Sequence, residues 1–286
     1  MEAALHPGRD PEAQELSALA RTIAVRHHAE LADAQVNARD GVLLRGWFIR
    51  PAASNGNAVI LLHGMGDNRT GMLGNAELLL DRGNAVLLPD ARDHGTSGGE
   101  LATYGVTEAG DVRRWFDWIE QTVKPRCIYG LGESMGAAQL LRSLHETRGF
   151  CAVVAESSFA SFREAGYDRL GQRFNAGPWV GQTLMRPAIE GGLLYARWKY
   201  GIDFDRYSPE KAVAGSKVPV LLIHGLKDTN LPPRHSEIIQ SRNPQRKPPV
   251  VLWEPAEAGH CGAASAEPAE FERRVVGWFE SHSNRP

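Results

Sequence analysis

A single pentapeptide carries the plainest chemistry in this chain. Gly132-Glu133-Ser134-Met135-Gly136 follows an apolar run over 127–130 and opens a stretch of helical periodicity over 135–147. A strand-to-helix turn this tight needs small residues on both sides of its serine, and it lifts the hydroxyl clear of the carboxyl edge of a sheet. The helix N-terminus beneath favours negative charge developing there. A competing reading uses the same stretch. Gly130-Leu131-Gly132 lies between strand and helix, and Glu156 ends the next strand about where a ribose-binding acid would stand, as in a dinucleotide-binding oxidoreductase. Met135 occupies the third-glycine position of that pattern, and Ser134 is left without a task.

A serine so placed requires a sheet to present it. Apolar strands are expected at 58–62, 85–88, 127–130, 151–155, 218–224 and 250–253, with helices over 72–82, 107–121 and 135–147 and a final helix burying Phe271, Val275, Trp278 and Phe279. Near-continuous apolar strands alternating with amphipathic helices predict an α/β fold: a mostly parallel central sheet with helices on both faces. Strands between Gln35 and Arg50, turning at Asp40-Gly41, predict an antiparallel hairpin before it. Ahead of the hairpin, residues 1–33 are expected to be a helical extension, starting at Asp10-Pro11 and striped by Leu16, Leu19, Ala20 and Ile23. Residues 159–217 interrupt the alternation and are rich in aromatics. The segment is long for a simple crossover, so it is expected to be a small helical cap, with Trp179, Trp198 and Tyr200 lining a substrate pocket. Ordinary helices packed on the sheet are the alternative.

With 286 residues, 42% of them hydrophobic, the chain can bury a sizeable core as one domain. A formal net charge of −2 gives no electrostatic reason to expect nucleic acid or an anionic membrane as partner. Three cysteines are too few, and odd in number, for a disulfide framework, and Cys127 and Cys151 are expected to be reduced and buried as small hydrophobes. Neither a secretory leader pattern nor an apolar run long enough to span a bilayer is present in the sequence, so a soluble, cytoplasmic protein is expected.

Four further stretches accompany the pentapeptide: His63-Gly64-Met65-Gly66, then 90–97 (Asp-Ala-Arg-Asp-His-Gly-Thr-Ser), His224-Gly225-Leu226-Lys227-Asp228, and Ala258-Gly259-His260-Cys261. With them, from about Ala58 to the C-terminus, the chain resembles the α/β-hydrolase superfamily, especially its compact esterase- and peptidase-like serine hydrolases. The resemblance implies Ser134 as nucleophile, His260 as its base and Asp228 as the acid orienting that base, in the chain order this fold uses. It implies an oxyanion hole from the Met65 and Met135 N–H groups, two converged amides suited to an alkoxide. In the 90–97 stretch Asp93 stands where glycine is usual, and His94 is read as a turn histidine rather than the base. Asp203 and Asp205 precede the relevant strand and are poorer candidates for the acid. Cys261 is read as a bystander.

The expected function is therefore hydrolysis of carboxylic esters through an acyl-enzyme, with a small-molecule acyl ester as partner and no metal or organic cofactor. A peptidase or amidase, or a thioesterase, on the same three residues is the alternative. A haloalkane or epoxide enzyme would need aspartate in place of Ser134, and a dienelactone-type enzyme a cysteine. The dinucleotide reading leaves Asp228 and His260 unexplained. A non-catalytic binding module is disfavoured because all three residues are present.

Overall fold

The computed structural model describes residues 2–6 and 14–283, so the helix start expected at Asp10-Pro11 lies outside the described residues. Two N-terminal helices, α1 (Glu2–Leu5) and α2 (Gln14–Arg26), precede the hairpin of β1 (Ala29–Asn37) and β2 (Leu43–Pro51). Ala20 and Ile23 of the expected stripe are buried together with Ala24, whereas Leu19 is exposed. β1 begins within the stretch expected to be helical. Ala29-Glu30-Leu31-Ala32 favours helix by propensity, but pairing runs the whole length of the strand, from Ala29↔Pro51 to Asn37↔Leu43, and overrides it.

Six more strands follow: β3 (Ala58–Leu62), β4 (Ala85–Pro89), β5 (Ile128–Glu133), β6 (Ala152–Glu156), β7 (Val220–Ile223) and β8 (Val251–Trp253). The sheet order is β1-β2-β4-β3-β5-β6-β7-β8. β2 meets β4 antiparallel, and the pairs from β4–β3 to β7–β8 are parallel. Strand residues alternate between two cores. Val59 and Leu61 join α3 (Leu73–Leu80) and α12 (Pro268–Ser281) on one face, through Leu79, Phe271 and Phe279. Ile60 and Leu62 join α4 (Glu108–Thr122) and α5 (Met135–Ser143) on the other, through Trp115, Phe116, Leu140 and Leu141. Each such side chain, fully buried, stabilises by roughly 1.5–3 kcal/mol relative to exposure. This is the doubly covered parallel sheet that the apolar runs predict.

The cysteines depart from expectation: Cys127 and Cys151 form a disulfide. They stand just ahead of β5 and β6, neighbouring parallel strands in which Tyr129 pairs with Ala152, so strand pairing brings their Cα atoms to 5.7 Å. An odd count argues against a framework of bridges but says nothing about one pair with a third cysteine, Cys261, left free.

Residues 159–217 divide into two parts. α6 (Phe162–Arg173), α7 (Trp179–Gln182) and α8 (Arg186–Tyr200) form a cover beyond the sheet, whereas α9 (Pro209–Gly215) packs on α5 as a layer helix through Val213. The cover is tied down at buried Asp168 of α6. Its carboxylate receives Arg234 Nη2–H at 2.7 Å and faces His235 Nε2 at 2.9 Å, both on α10 (Arg234–Ser241). Arg142 of α5, itself buried, holds the far end by donating to the carbonyls of Phe204 at 3.1 Å and Arg206 at 2.7 Å. Asp168→Ala should lower the unfolding free energy by about 3 kcal/mol, the low end for breaking a buried ion pair, because Arg234 retains Glu164. Urea unfolding of the variant beside the parent measures it.

Candidate active site

Ser134 leaves β5 and enters α5 at φ +50°, a conformation that costs a non-glycine residue energy and persists only where surroundings hold it. Two glycines make room. A Cβ on Gly132 would lie 2.6 Å from Gly136 O, and one on Gly136 would collide with Leu62 O of β3. The turn is latched to the next strand by Ser134 N–H donating to Glu156 O at 2.9 Å.

His260 Nε2 stands 2.9 Å from Ser134 Oγ, and its Nδ1 stands 2.7 Å from Asp228 Oδ2. A carboxylate only accepts, so Nδ1 carries the proton and Nε2 is left to accept from the serine hydroxyl. Asp228 follows β7, and its Oδ1 accepts the N–H groups of Asn230 and Leu231, each at 2.9 Å. Burial pushes this carboxyl up, but hydrogen bonds from His224, His260 and Leu231 N–H outweigh it and hold it well below the usual carboxylate range. His224 is buried and fixed in turn, with Nδ1 2.7 Å from Ser236 Oγ and Nε2 2.8 Å from Leu231 O. Asp203 and Asp205 lie elsewhere, facing Arg197 and Arg163.

The 63–66 loop is gripped from within by two histidines. His63 Nδ1–H donates to Gly64 O at 2.7 Å while Nε2 accepts Ala91 N–H at 3.0 Å. His94 Nδ1–H donates to Arg92 O at 2.9 Å while Nε2 accepts Gly66 N–H at 3.2 Å. Each ring is thereby a neutral tautomer, and burial holds the His63 imidazole below its usual range. His94 is thus a turn histidine with a definite task. Asp93 is at φ +61°, the left-handed region that makes glycine usual there and that aspartate tolerates better than most residues. Among the described residues, neither Met65 N–H nor Met135 N–H donates to a backbone carbonyl. His63 opens one of the four stretches named in the sequence but had no role there; its signal was its place at the end of β3, ahead of the glycines.

Ser134, His260 and Met65 open onto a cavity of about 730 Å³, a size suited to a small-molecule ligand. Its apolar wall comes from Tyr104, Phe159, Phe162, Leu170, Ile189 and Leu231. The expected wall differs: Trp179, Trp198 and Tyr200 are not among its lining residues. Trp179 and Trp198 are 58% and 82% exposed, and Tyr200 packs beside Phe204 and Ile202. Aromatic content does not say which residues face the cavity: α6 contributes Phe162 at its start, and α8 turns Ile189 inward. Ala4 of α1 also lines the cavity, and Tyr104 Oη–H donates to its carbonyl at 2.6 Å.

Two acids lie beneath. Burial pushes Glu133 up to about 7, against a hydrogen bond from Asn75. Burial and the neighbouring Glu133 push Glu156 up to about 8. Glu156 accepts the N–H of Ala263, where α11 (Ala263–Ala266) begins, at 2.9 Å and is buried, so it is not placed to meet a ribose. The Cys261 thiol, next to the base, is pushed far up by burial and stays protonated. Glutamates that bind protons more tightly when folded make stability fall as pH rises from about 4.5, the unfolded value, through their folded values. Between pH 5 and 8 the urea midpoint of Glu133→Gln with Glu156→Gln should therefore rise relative to that of the parent as pH increases; a difference between the two that stays constant over the range would contradict it.

A sequence profile of the alpha/beta hydrolase family matches residues 59–274. YqkD, an uncharacterized protein of Bacillus subtilis (strain 168), is 27% identical over 247 residues, 85% of this chain and 77% of that protein. The Pyrococcus furiosus esterase Pf2001 has a similar structure at 26% identity, with a TM-score of 0.74 over 98% of both chains. The acylaminoacyl peptidase of Pyrococcus horikoshii shares the fold at 16% identity, with a TM-score of 0.66 over 88% of this chain and 41% of that one. The profile runs from β3 into α12, across the parallel part of the sheet and the turn that holds Ser134, and the chain belongs to the alpha/beta hydrolase family.

Proposed function

We propose that this chain hydrolyses carboxylic esters through an acyl-enzyme intermediate on Ser134. One observation carries the reading: the unbroken run from Ser134 Oγ to His260 Nε2, 2.9 Å, and from His260 Nδ1 to Asp228 Oδ2, 2.7 Å, opening onto an apolar cavity. Ser134 Oγ attacks the acyl carbon while His260 Nε2 takes its proton. Asp228 holds the tautomer and stabilises the imidazolium. The oxyanion is received by Met65 and Met135 N–H, with the α5 N-terminus behind the latter. Collapse of the tetrahedral species breaks the ester C–O bond, and His260 returns its proton to the departing alkoxide. Water then attacks the acyl-serine with His260 again as base, releasing the acid and restoring Ser134. The apolar wall accommodates the acyl chain. Similarity to an esterase over nearly the whole length of both chains supports an ester as the bond cleaved.

Ser134→Ala should fold, fail to label with a fluorophosphonate, and lose on the order of 10³-fold or more in turnover of a short p-nitrophenyl ester. Near-parent turnover in that variant would overturn the assignment. The wall makes a second expectation. Each methylene buried is worth about 0.8 kcal/mol, roughly fourfold in kcat/KM, so activity should climb along acetyl, butyryl and hexanoyl esters until the cavity is filled. Ile189→Trp should move the optimum to shorter chains, while Trp179→Ala leaves it in place. A chain-length profile identical in parent and Ile189→Trp would remove the cavity from acyl selection.

A further inference from the structure

Helix α8 is apolar on two opposite sides. Ile189, Leu193, Ala196 and Tyr200 recur at helical spacing and face inward, Ile189 into the cavity and the others against Phe204 and Ile202. On the outer side Leu194 and Trp198 are 66% and 82% exposed, and Leu184 just ahead of the helix is 73% exposed. Ala188 and Gly191, also exposed, continue the stripe between them without a charge. A surface helix ordinarily turns polar residues outward; one that is apolar all round sits in a core or against lipid.

The flanks of the stripe are basic. Arg186, Arg197 and Lys199 are exposed on α8, with Glu190 3.9 Å from Arg186 and Asp203 3.7 Å from Arg197. Residues 162–200 hold six Lys and Arg against three Asp and Glu, whereas the whole chain has a net charge of −2. Two of those three acids, Glu164 and Asp168, face Arg234 on the body side, and the third, Glu190, pairs with Arg163. Whole-chain charge, which gave no reason to expect an anionic surface, sums over faces that such a surface would never meet, since screening limits its reach to about 10 Å.

We infer that the outer face of α8 docks on an anionic lipid surface, with Leu184, Leu194 and Trp198 entering the acyl boundary and the arginines and Lys199 at the headgroups. Lys- and Arg-flanked helices with Trp and Leu on one face bind bilayers in this way. A second copy of this chain fits less well, because a two-fold contact sets like surface against like and would oppose the basic flanks to each other. Resting on the proposed ester hydrolysis, the consequence is that the substrate is a lipid ester, passed from the surface on one side of α8 to the cavity on the other. Docking itself does not involve Ser134.

The test uses full-length Ser134→Ala protein, co-sedimented at low salt with phosphatidylcholine vesicles with and without phosphatidylglycerol. It should bind the phosphatidylglycerol vesicles. Adding Leu194→Ser and Trp198→Ser should lower partition by about tenfold or more, as loss of two apolar anchors implies. Adding Arg197→Gln and Lys199→Gln should lower it about fivefold per charge, ~1 kcal/mol each, on phosphatidylglycerol vesicles alone. In chains retaining Ser134, the same substitutions should leave turnover of a water-soluble ester within about twofold of the parent, the scale of effects expected away from the reacting groups. Absence of binding, or binding unaffected by the serine pair, overturns the inference. So does a dimer that the serine pair disperses in a protein that ignores vesicles. A protein that docks but hydrolyses no ester overturns the proposed function instead, and one that hydrolyses soluble esters without docking overturns only this inference.

Discussion

The backbone at Ser134 is held at positive φ by three strands at once, and the rest of the site is arranged around that constraint. β5 delivers the residue, β6 takes its N–H through Glu156 O, and β3 lies so close that only glycine fits at 136. Neither the turn nor the start of α5 could keep this geometry alone, since one residue in an unfavourable region costs of order 1–3 kcal/mol and must be over-determined by its surroundings. The doubly covered sheet is what makes those surroundings rigid: β3 and β6 are buried at every position.

Around that turn the buried polar groups are nearly all committed to fixed partners. Asp228 takes two backbone N–H groups and faces two histidines, and the second of these, His224, is itself held by Ser236 and the Leu231 carbonyl. His63 and His94 serve backbone groups at both ends of the 63–66 loop. Such fixed dipoles need little reorganisation when charge moves. Glu133 and Glu156 have partners too, in Asn75 and Ala263 N–H, but burial raises both carboxyls toward neutrality, and they tie the stability of this region to pH.

The cover has a different physical character. It joins the body by the pairing of Asp168 and Glu164 with Arg234 and by the hydrogen bonds of Arg142, rather than by extending the sheet. Its helices carry apolar residues both toward the cavity and toward the outside. A segment built this way can line a pocket with one face while leaving the other available for contact with a surface.

Much of this was legible in the amino-acid sequence, for local reasons. Continuous apolar runs such as Ala58–Leu62 imply strands buried on both faces, Asp40-Gly41 marks the hairpin, and Gly132 and Gly136 flank the one serine a tight strand-to-helix turn would present. The order of Ser134, Asp228 and His260 along the chain already suits the fold. Other features belong to tertiary structure because they depend on neighbours distant in sequence. β1 is a strand because β2 pairs with it, against its own alanine-rich preference. Cys127 meets Cys151 because β5 and β6 are adjacent. Composition could say that residues 159–217 are aromatic, but not which side of each helix faces Ser134; packing sent Ile189 and Phe162 inward and left Trp179 and Trp198 outside. Periodicity gives a helix its faces, and only the body it packs against decides which of them is the inside.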